Sequence, residues 1–148
     1  SMAIGINVKK ANFENFKNAL EEVAIQKHIN ELVPILTIDA QISLDEINKD
    51  MVNSLKQLEP FGEENKNPLF VFKNLKIDSI RALSEGKHLK LTLKDNKNIV
   101  NAIGFNLGSL ASEYKIDDKI DVVGNLEINS FNGMENIQIN IKDIMKSL

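Results

Sequence analysis

The residues with the most to offer chemically fall in one short stretch, Lys87-His88-Leu89-Lys90-Leu91-Thr92-Leu93-Lys94. Leucines alternate there with polar side chains. Along an extended strand successive side chains point to opposite faces, so His88, Lys90, Thr92 and Lys94 share one side, Lys87 stands at its start, and the leucines enter a core. Ammonium groups in such a row can track phosphates. Arg81, the only arginine, either joins this strip or ends the preceding strand. Further on, Phe131 and Asn132 precede Gly133 at an expected hairpin tip, where an exposed phenylalanine can stack on a nucleobase for ~1–3 kcal/mol. Asn129 and Asn132 are its hydrogen-bonding neighbours. Each feature also has a plainer reading: a solvated lysine face, and a loop aromatic folded back onto the end of the sheet.

Other candidates carry less. Catalysis would show clustered acids, a nucleophile beside a base, or a glycine-rich phosphate loop, and the sequence offers none of these. Asp117, Asp118 and Asp121 lie close together, but neighbouring strand positions face opposite ways and the segment reads as a solvated turn. Glu63 and Glu64 belong to a connector. His28, near the end of the first expected helix, suits the carbonyl end of that helix dipole. Gly104 and Gly108 lack dinucleotide spacing and more simply ease a strand-to-helix corner. With no cysteine among 148 residues and two histidines, His28 and His88, neither disulfides nor thiolate or paired-histidine metal sites find support. The net charge of −3 argues against strongly salt-driven nucleic-acid binding by the chain as a whole. That charge divides unevenly, −4 over residues 1–67 and +1 over residues 68–148. No apolar run approaches the ~20 residues of a membrane span. No signal stretch opens the chain, so a cytoplasmic setting without membrane contact is expected.

These side chains need elements to hold them. Ile4, Ile6 and Val8 stand at strand spacing, and Asn12 is placed to cap a helix whose apolar face is Phe13, Phe16, Leu20, Val23 and Ala24. After Pro34, residues Leu36, Ile38, Ala40 and Ile42 alternate as a half-buried strand should. Ser43-Leu44-Asp45-Glu46 is a capping box with Ile42 and Ile47 as a hydrophobic staple, and Leu44, Ile47, Met51, Leu55 and Leu58 continue the stripe. Residues 1–58 thus read as β-α-β-α. Residues 59–68, with two prolines and a charge cluster, break all periodicity and read as a linker.

From 69 to 148 the period becomes two. Strands are expected at 69–83, 88–94, 99–105, 120–128 and 137–141, with a short helix at 107–114. Turn chemistry falls at Ser84-Glu85-Gly86, Asp95-Asn96-Lys97, Asp117-Asp118 and Asn132-Gly133. Five strands with a helix between the third and fourth is the order of an OB-fold, a small partly open Greek-key barrel. A five-strand sandwich or an SH3-like barrel would share the strand count, and the helix position favours the OB order. The expected class is α+β, a partial α/β segment followed by a five-stranded OB-fold β-barrel. OB-folds bind oligonucleotides across their second and third strands and the loops joining strands one to two and four to five, which would be 83–87 and 130–133 here.

Several strings occur in order: Leu58-Glu59-Pro60-Phe61-Gly62, Asn67-Pro68-Leu69-Phe70, Lys87-His88-Leu89-Lys90-Leu91, Ala102-Ile103-Gly104-Phe105, the run from Leu126 to Gly133, Gln138-Ile139 and Lys142-Asp143-Ile144. Together they resemble the C-terminal part of the bacterial RecJ family of single-strand-specific DNA exonucleases. The resemblance implies the end of a DHH-associated domain over 1–58 and an OB domain over 69–148, joined by 59–68. It also implies a parent that cuts from the 5′ end with two divalent metals, Mn2+ or Mg2+, held by an Asp-His-His motif and further aspartates. No Asp-His-His string occurs in this chain, so no metal or other cofactor is expected within it and it should not cut by itself. The family's Gly-Gly-His motif would lie just before Ser1. The family linker, often Pro-Phe-Gly-x-Gly-Asn-Pro, is replaced here by Pro60-Phe61-Gly62-Glu63-Glu64-Asn65-Lys66-Asn67-Pro68.

The expected partner is single-stranded DNA, with other DNA-repair proteins as further candidates. Lys87, Lys90 and Lys94 would meet backbone phosphate, Arg81 phosphate or a base, His88 a polar group, and Phe131 with Asn132 a base. The rival reading is an OB barrel used for protein docking without direct DNA contact. A complete small metal-dependent enzyme is a third.

Overall fold

Leu89, Leu91 and Leu93 lose nearly all contact with water, and the alternation that hides them sets the architecture. The computed structural model describes residues 5–27, 35–131 and 133–147, in two units, Ser1–Leu36 and Thr37–Leu148. The first unit holds helix α1 (Phe13–Gln26). The second holds β1 (Ala40–Gln41), α2 (Lys49–Lys56), β2 (Phe70–Leu83), β3 (His88–Lys94), β4 (Ile99–Gly104), β5 (Lys119–Phe131) and β6 (Met134–Lys146). Sheet order is β1-β2-β3-β4-β6-β5, and β2 pairs again with β5, closing β2 to β6 into a barrel. This is the OB order, with a 3-10 turn, Gly108–Ser112, where the short helix was expected. No helix among the described residues is long and apolar enough to cross a membrane.

Closure depends on β2. Its residues from Phe70 to Lys76 pair with β5, and those from Lys76 to Leu83 pair with β3. A strand serving two neighbours must bend, and β2 bends at irregularities between Phe72 and Leu75 and between Ile77 and Ser79. Inside, Phe72, Ile77, Ile120, Val122 and Ile139 join the three leucines in full burial. Each such side chain contributes roughly 1.5–3 kcal/mol relative to exposure.

Upstream of the barrel the sequence expectations hold in part. Residues 5–9 form no strand, and Ile6 is 56% exposed. Among the described residues no strand lies alongside to satisfy the segment's backbone groups, and Ile4 lies outside the described residues. Helix α1 starts where expected, but Asn12 closes a 3-10 turn with φ −103° and its side chain caps nothing. A capping side chain works from an extended backbone, which Asn12 lacks. The strand expected over 36–42 pairs only at Ala40 and Gln41, in parallel with Phe70 and Val71. His28 and Pro34 lie outside the described residues.

The helix expected from Ser43 is divided. The Ser43 backbone N–H and hydroxyl both donate to Glu46 Oε2, at 2.7 and 2.6 Å. These hydrogen bonds hold the Glu46 carboxyl below its ordinary range. They open only the 3-10 turn Leu44–Glu46, after which Ile47 is extended. Asn48 then caps α2, its Oδ1 accepting from the Met51 N–H at 2.8 Å. Leu44 and Val52 are buried in the barrel's own core, and Ile42, Ile47, Met51 and Leu55 pack against it.

The first bulge in β2 creates a polar obligation. Asn74, at φ 55°, turns its N–H out of the ladder and donates it to Asp121 Oδ1 at 2.9 Å. Ser147 Oγ donates to the same oxygen at 2.5 Å, and Lys73 Nζ lies 2.8 Å from Asp121 Oδ2. Burial pushes this carboxyl up, but the hydrogen bonds from Lys73, Ser147 and Asn74 outweigh it and hold the group below the ordinary aspartate range. A depressed carboxylate contributes stability that is complete above its unfolded pKa and is lost as pH falls through the folded one. Asp121→Ala should cost about 1–3 kcal/mol, because it strands a partly buried N–H and unpairs an ammonium. Urea unfolding at pH 7 measures this. The same titration carried below pH 4 should show a shallower acid loss in Asp121→Asn than in the natural chain.

Candidate nucleic-acid interface

The outer side of the barrel is ruled by strand register. Residues directly opposite on paired strands share a face, which gives three rows across β2, β3 and β4: Lys76, Lys94 and Ile99; Ser79, Thr92 and Asn101; Arg81, Lys90 and Ile103. The predicted alternation along β3 is present, with the leucines buried and His88, Lys90, Thr92 and Lys94 half-buried on the outside.

The rows differ in charge. In the lowest, Lys76 faces Lys94 on one side and Lys119 on the other, an arrangement of like charges that is unfavourable by itself. Aspartates relieve it: Lys76 pairs with Asp117 at 2.8 Å, and Lys94 donates to Asp78. The hydrogen bond to Asp78, with its charge, raises the Lys94 pKa, and the Lys76 hydrogen bond holds Asp117 low. Lys94 is therefore committed within the protein. The middle row is neutral, with Ser79 Oγ donating to Thr92 Oγ1 at 2.8 Å. The upper row is different: among the described residues neither Arg81 nor Lys90 has a carboxylate within salt-bridge distance, and neither has Lys87 just above.

Lys87 is positioned by backbone contacts. The turn joining β2 to β3 has Glu85 at φ 58° and Gly86 at φ 87°, the signs of a type I′ turn, and the Lys87 N–H donates to Ser84 O at 3.1 Å. Gly108 seals it from the other side, donating to Lys87 O at 3.2 Å. A Cβ at 108 would lie 1.9 Å from Gly86 O. Gly108 is thus required by close approach to the turn, whereas a Cβ at Gly104 would meet only the Leu107 side chain, whose Cδ1 would be 2.9 Å away. The corner the sequence suggested is there, with packing as its reason.

His88 is drawn into the same corner. Its Nδ1 accepts from the Asn106 N–H at 3.1 Å, so Nε2 carries the proton in the neutral ring. The imidazole stands edge-on to Phe105, with centroids 5.3 Å apart and planes at 75°. Phe105 is 53% exposed. It stands one position past the end of β4, in the turn that Asn106 continues.

At the second predicted loop, Asn132 and the Phe131 side chain lie outside the described residues. The hairpin below them is regular, with Asn129 opposite Asn136. Glu135 near its tip pairs with Lys49 of α2 at 3.3 Å. The three aspartates considered for a cation are separately engaged: Asp117 with Lys76, Asp118 with the Lys115 N–H at 3.0 Å, and Asp121 at the bulge. Among the described residues no three metal-ligating side chains converge, so these carboxylates do not fit the metal pair that the resemblance implies.

A family model described as the RecJ OB domain matches residues 38–143. This chain belongs to the RecJ OB domain family. The single-stranded-DNA-specific exonuclease RecJ of Bacillus subtilis is 26% identical over 144 residues, covering 96% of this chain and 18% of that protein. RecJ of Thermus thermophilus is 27% identical over 146 residues, covering 97% and 20%. The crystal structure of Thermus thermophilus RecJ in complex with Mg2+ superposes with a TM-score of 0.61 at 23% identity, covering 95% of this chain and 21% of that one. That likeness establishes the fold. The chain spans about a fifth of the length of these relatives.

Gly108→Ala should drive the 84–87 turn away from the 3-10 turn, at a cost of about 1–3 kcal/mol for overpacking. Denaturant unfolding gives the loss. Amide NMR shifts concentrated at Ser84 to His88, with β5 and β6 unchanged, localise it.

Proposed function

We propose that this barrel holds single-stranded DNA for a RecJ-type exonuclease, with Arg81, Lys87 and Lys90 neutralising backbone phosphates. One observation carries the reading: on a barrel of the RecJ OB family, these cations lack carboxylate partners among the described residues while Lys73, Lys76 and Lys94 have them. Phosphate neutralisation releases condensed counterions, so a few unpartnered cations suffice for salt-dependent binding even in a nearly neutral domain. The B. subtilis and T. thermophilus relatives are named as exonucleases specific for single-stranded DNA, which supports that polymer as ligand. In the whole protein of this reading, a Mn2+ or Mg2+ pair would stabilise the attacking and leaving oxygens of phosphodiester hydrolysis. The residues described here would keep the strand in place. A cytoplasmic setting belongs to the same reading.

A second reading, docking of another protein, draws on Ile99, which is 68% exposed beside an open groove lined by Ile47 and Ile137. Salt separates the two. Fluorescence anisotropy with a labelled oligothymidylate should show affinity falling with salt, and the joint variant Lys87→Ala, Lys90→Ala should reduce the log–log slope by about 1.4, the value for two single-strand phosphate contacts. Lys94→Ala should leave the slope nearly unchanged, since Asp78 already holds that charge. An unaltered slope in the double variant would remove the upper row from the argument, and absence of binding at low salt would favour docking.

A further inference from the structure

Phe105 follows directly on the last residue of β4, in the turn that leaves the strand. Asn106, at φ 61°, reverses the chain immediately after it. The Asn106 N–H fixes the His88 imidazole that stands against the phenyl ring. An aromatic ring 53% exposed and held on one side has already lost much of its rotational freedom, which lowers the cost of binding through it.

Its neighbours are cationic. Lys90 lies opposite Ile103 and Leu89 opposite Gly104, so Phe105 leaves the ladder at the end where Lys90 and Lys87 stand. Arg81 lies opposite Lys90 on the far side, and Lys87 directly precedes the His88 that meets the ring. An aromatic face beside a short row of unpartnered cations is what a single strand needs, stacking for a base and charge for the adjoining phosphates. We infer that Phe105 is a base-stacking platform, with His88 as its positioning residue, and that this pair anchors one nucleotide at the β4 corner of the barrel. The inference rests on the reading of the upper row as a phosphate track, and it adds base contact at a place distinct from the Phe131 hairpin.

The chain contains no tryptophan, which makes the test direct. In the full 148-residue chain, Phe105→Ala should weaken oligothymidylate binding by about 5- to 100-fold while leaving the salt slope unchanged, since no charge is removed. Phe105→Leu should behave like Phe105→Ala, because it restores apolar bulk without a π face. Phe105→Trp should keep the affinity, and its indole emission should be quenched as oligothymidylate is added. Natural affinity in Phe105→Leu, or anisotropy showing binding to Phe105→Trp with unquenched emission, would overturn the stacking role. If in that case Lys87→Ala, Lys90→Ala still flattens the slope, the phosphate track stands alone. No binding by the natural chain at low salt would overturn both.

Discussion

The bend in β2 is the constraint on which the rest depends. A five-stranded barrel of this order closes only if its first strand can leave one neighbour and join another, and β2 does so around Lys76, where it borders both β5 and β3. The bulge that permits this turns the Asn74 N–H out of the ladder. Asp121 accepts that hydrogen, Lys73 compensates Asp121, and Ser147 fills the remaining position. Geometry thus calls for a carboxylate, and the carboxylate calls for a lysine.

The same bend brings Lys119, Lys76 and Lys94 into register, and the aspartates around them answer that concentration of charge. The barrel's cations are thereby divided. Near the bend Lys73, Lys76 and Lys94 are paired within the fold, while two rows along Arg81 and Lys90 have no carboxylate partner among the described residues. A formal charge near zero over this half of the chain conceals that division. Internal pairs cancel one another in the sum and contribute little to an approaching polyanion, whereas unpartnered groups contribute locally.

What could be read from the sequence was whatever repeats within a few residues. Period-two alternation located all five barrel strands, the glycine and asparagine turns lay between them, and the Ser43–Glu46 pair announced its hydrogen bonds. The errors came from partners distant in the chain. Nothing local says that Ile6 and Val8 have no strand beside them among the described residues, or that Lys94 meets Asp78 on the bulged β2. His88 does face outward as read, but the Asn106 amide that occupies its Nδ1 is eighteen residues away and was not legible. Phe105 was not among the candidates because it stands one position past β4, and only its contact with the distant His88 ring marks it. The RecJ resemblance supplied the family and its expected ligand, but a family likeness does not state which lysines are already paired.

The backbone contact between Gly108 and the turn at Gly86 makes two loops, far apart in the chain, behave as a single part. Neither can be lengthened, shortened or exchanged for another sequence while the other keeps its path. Anyone transplanting this corner onto a different OB barrel would have to carry both segments together, glycines included, or the recipient's own connector would occupy the space the donor turn requires.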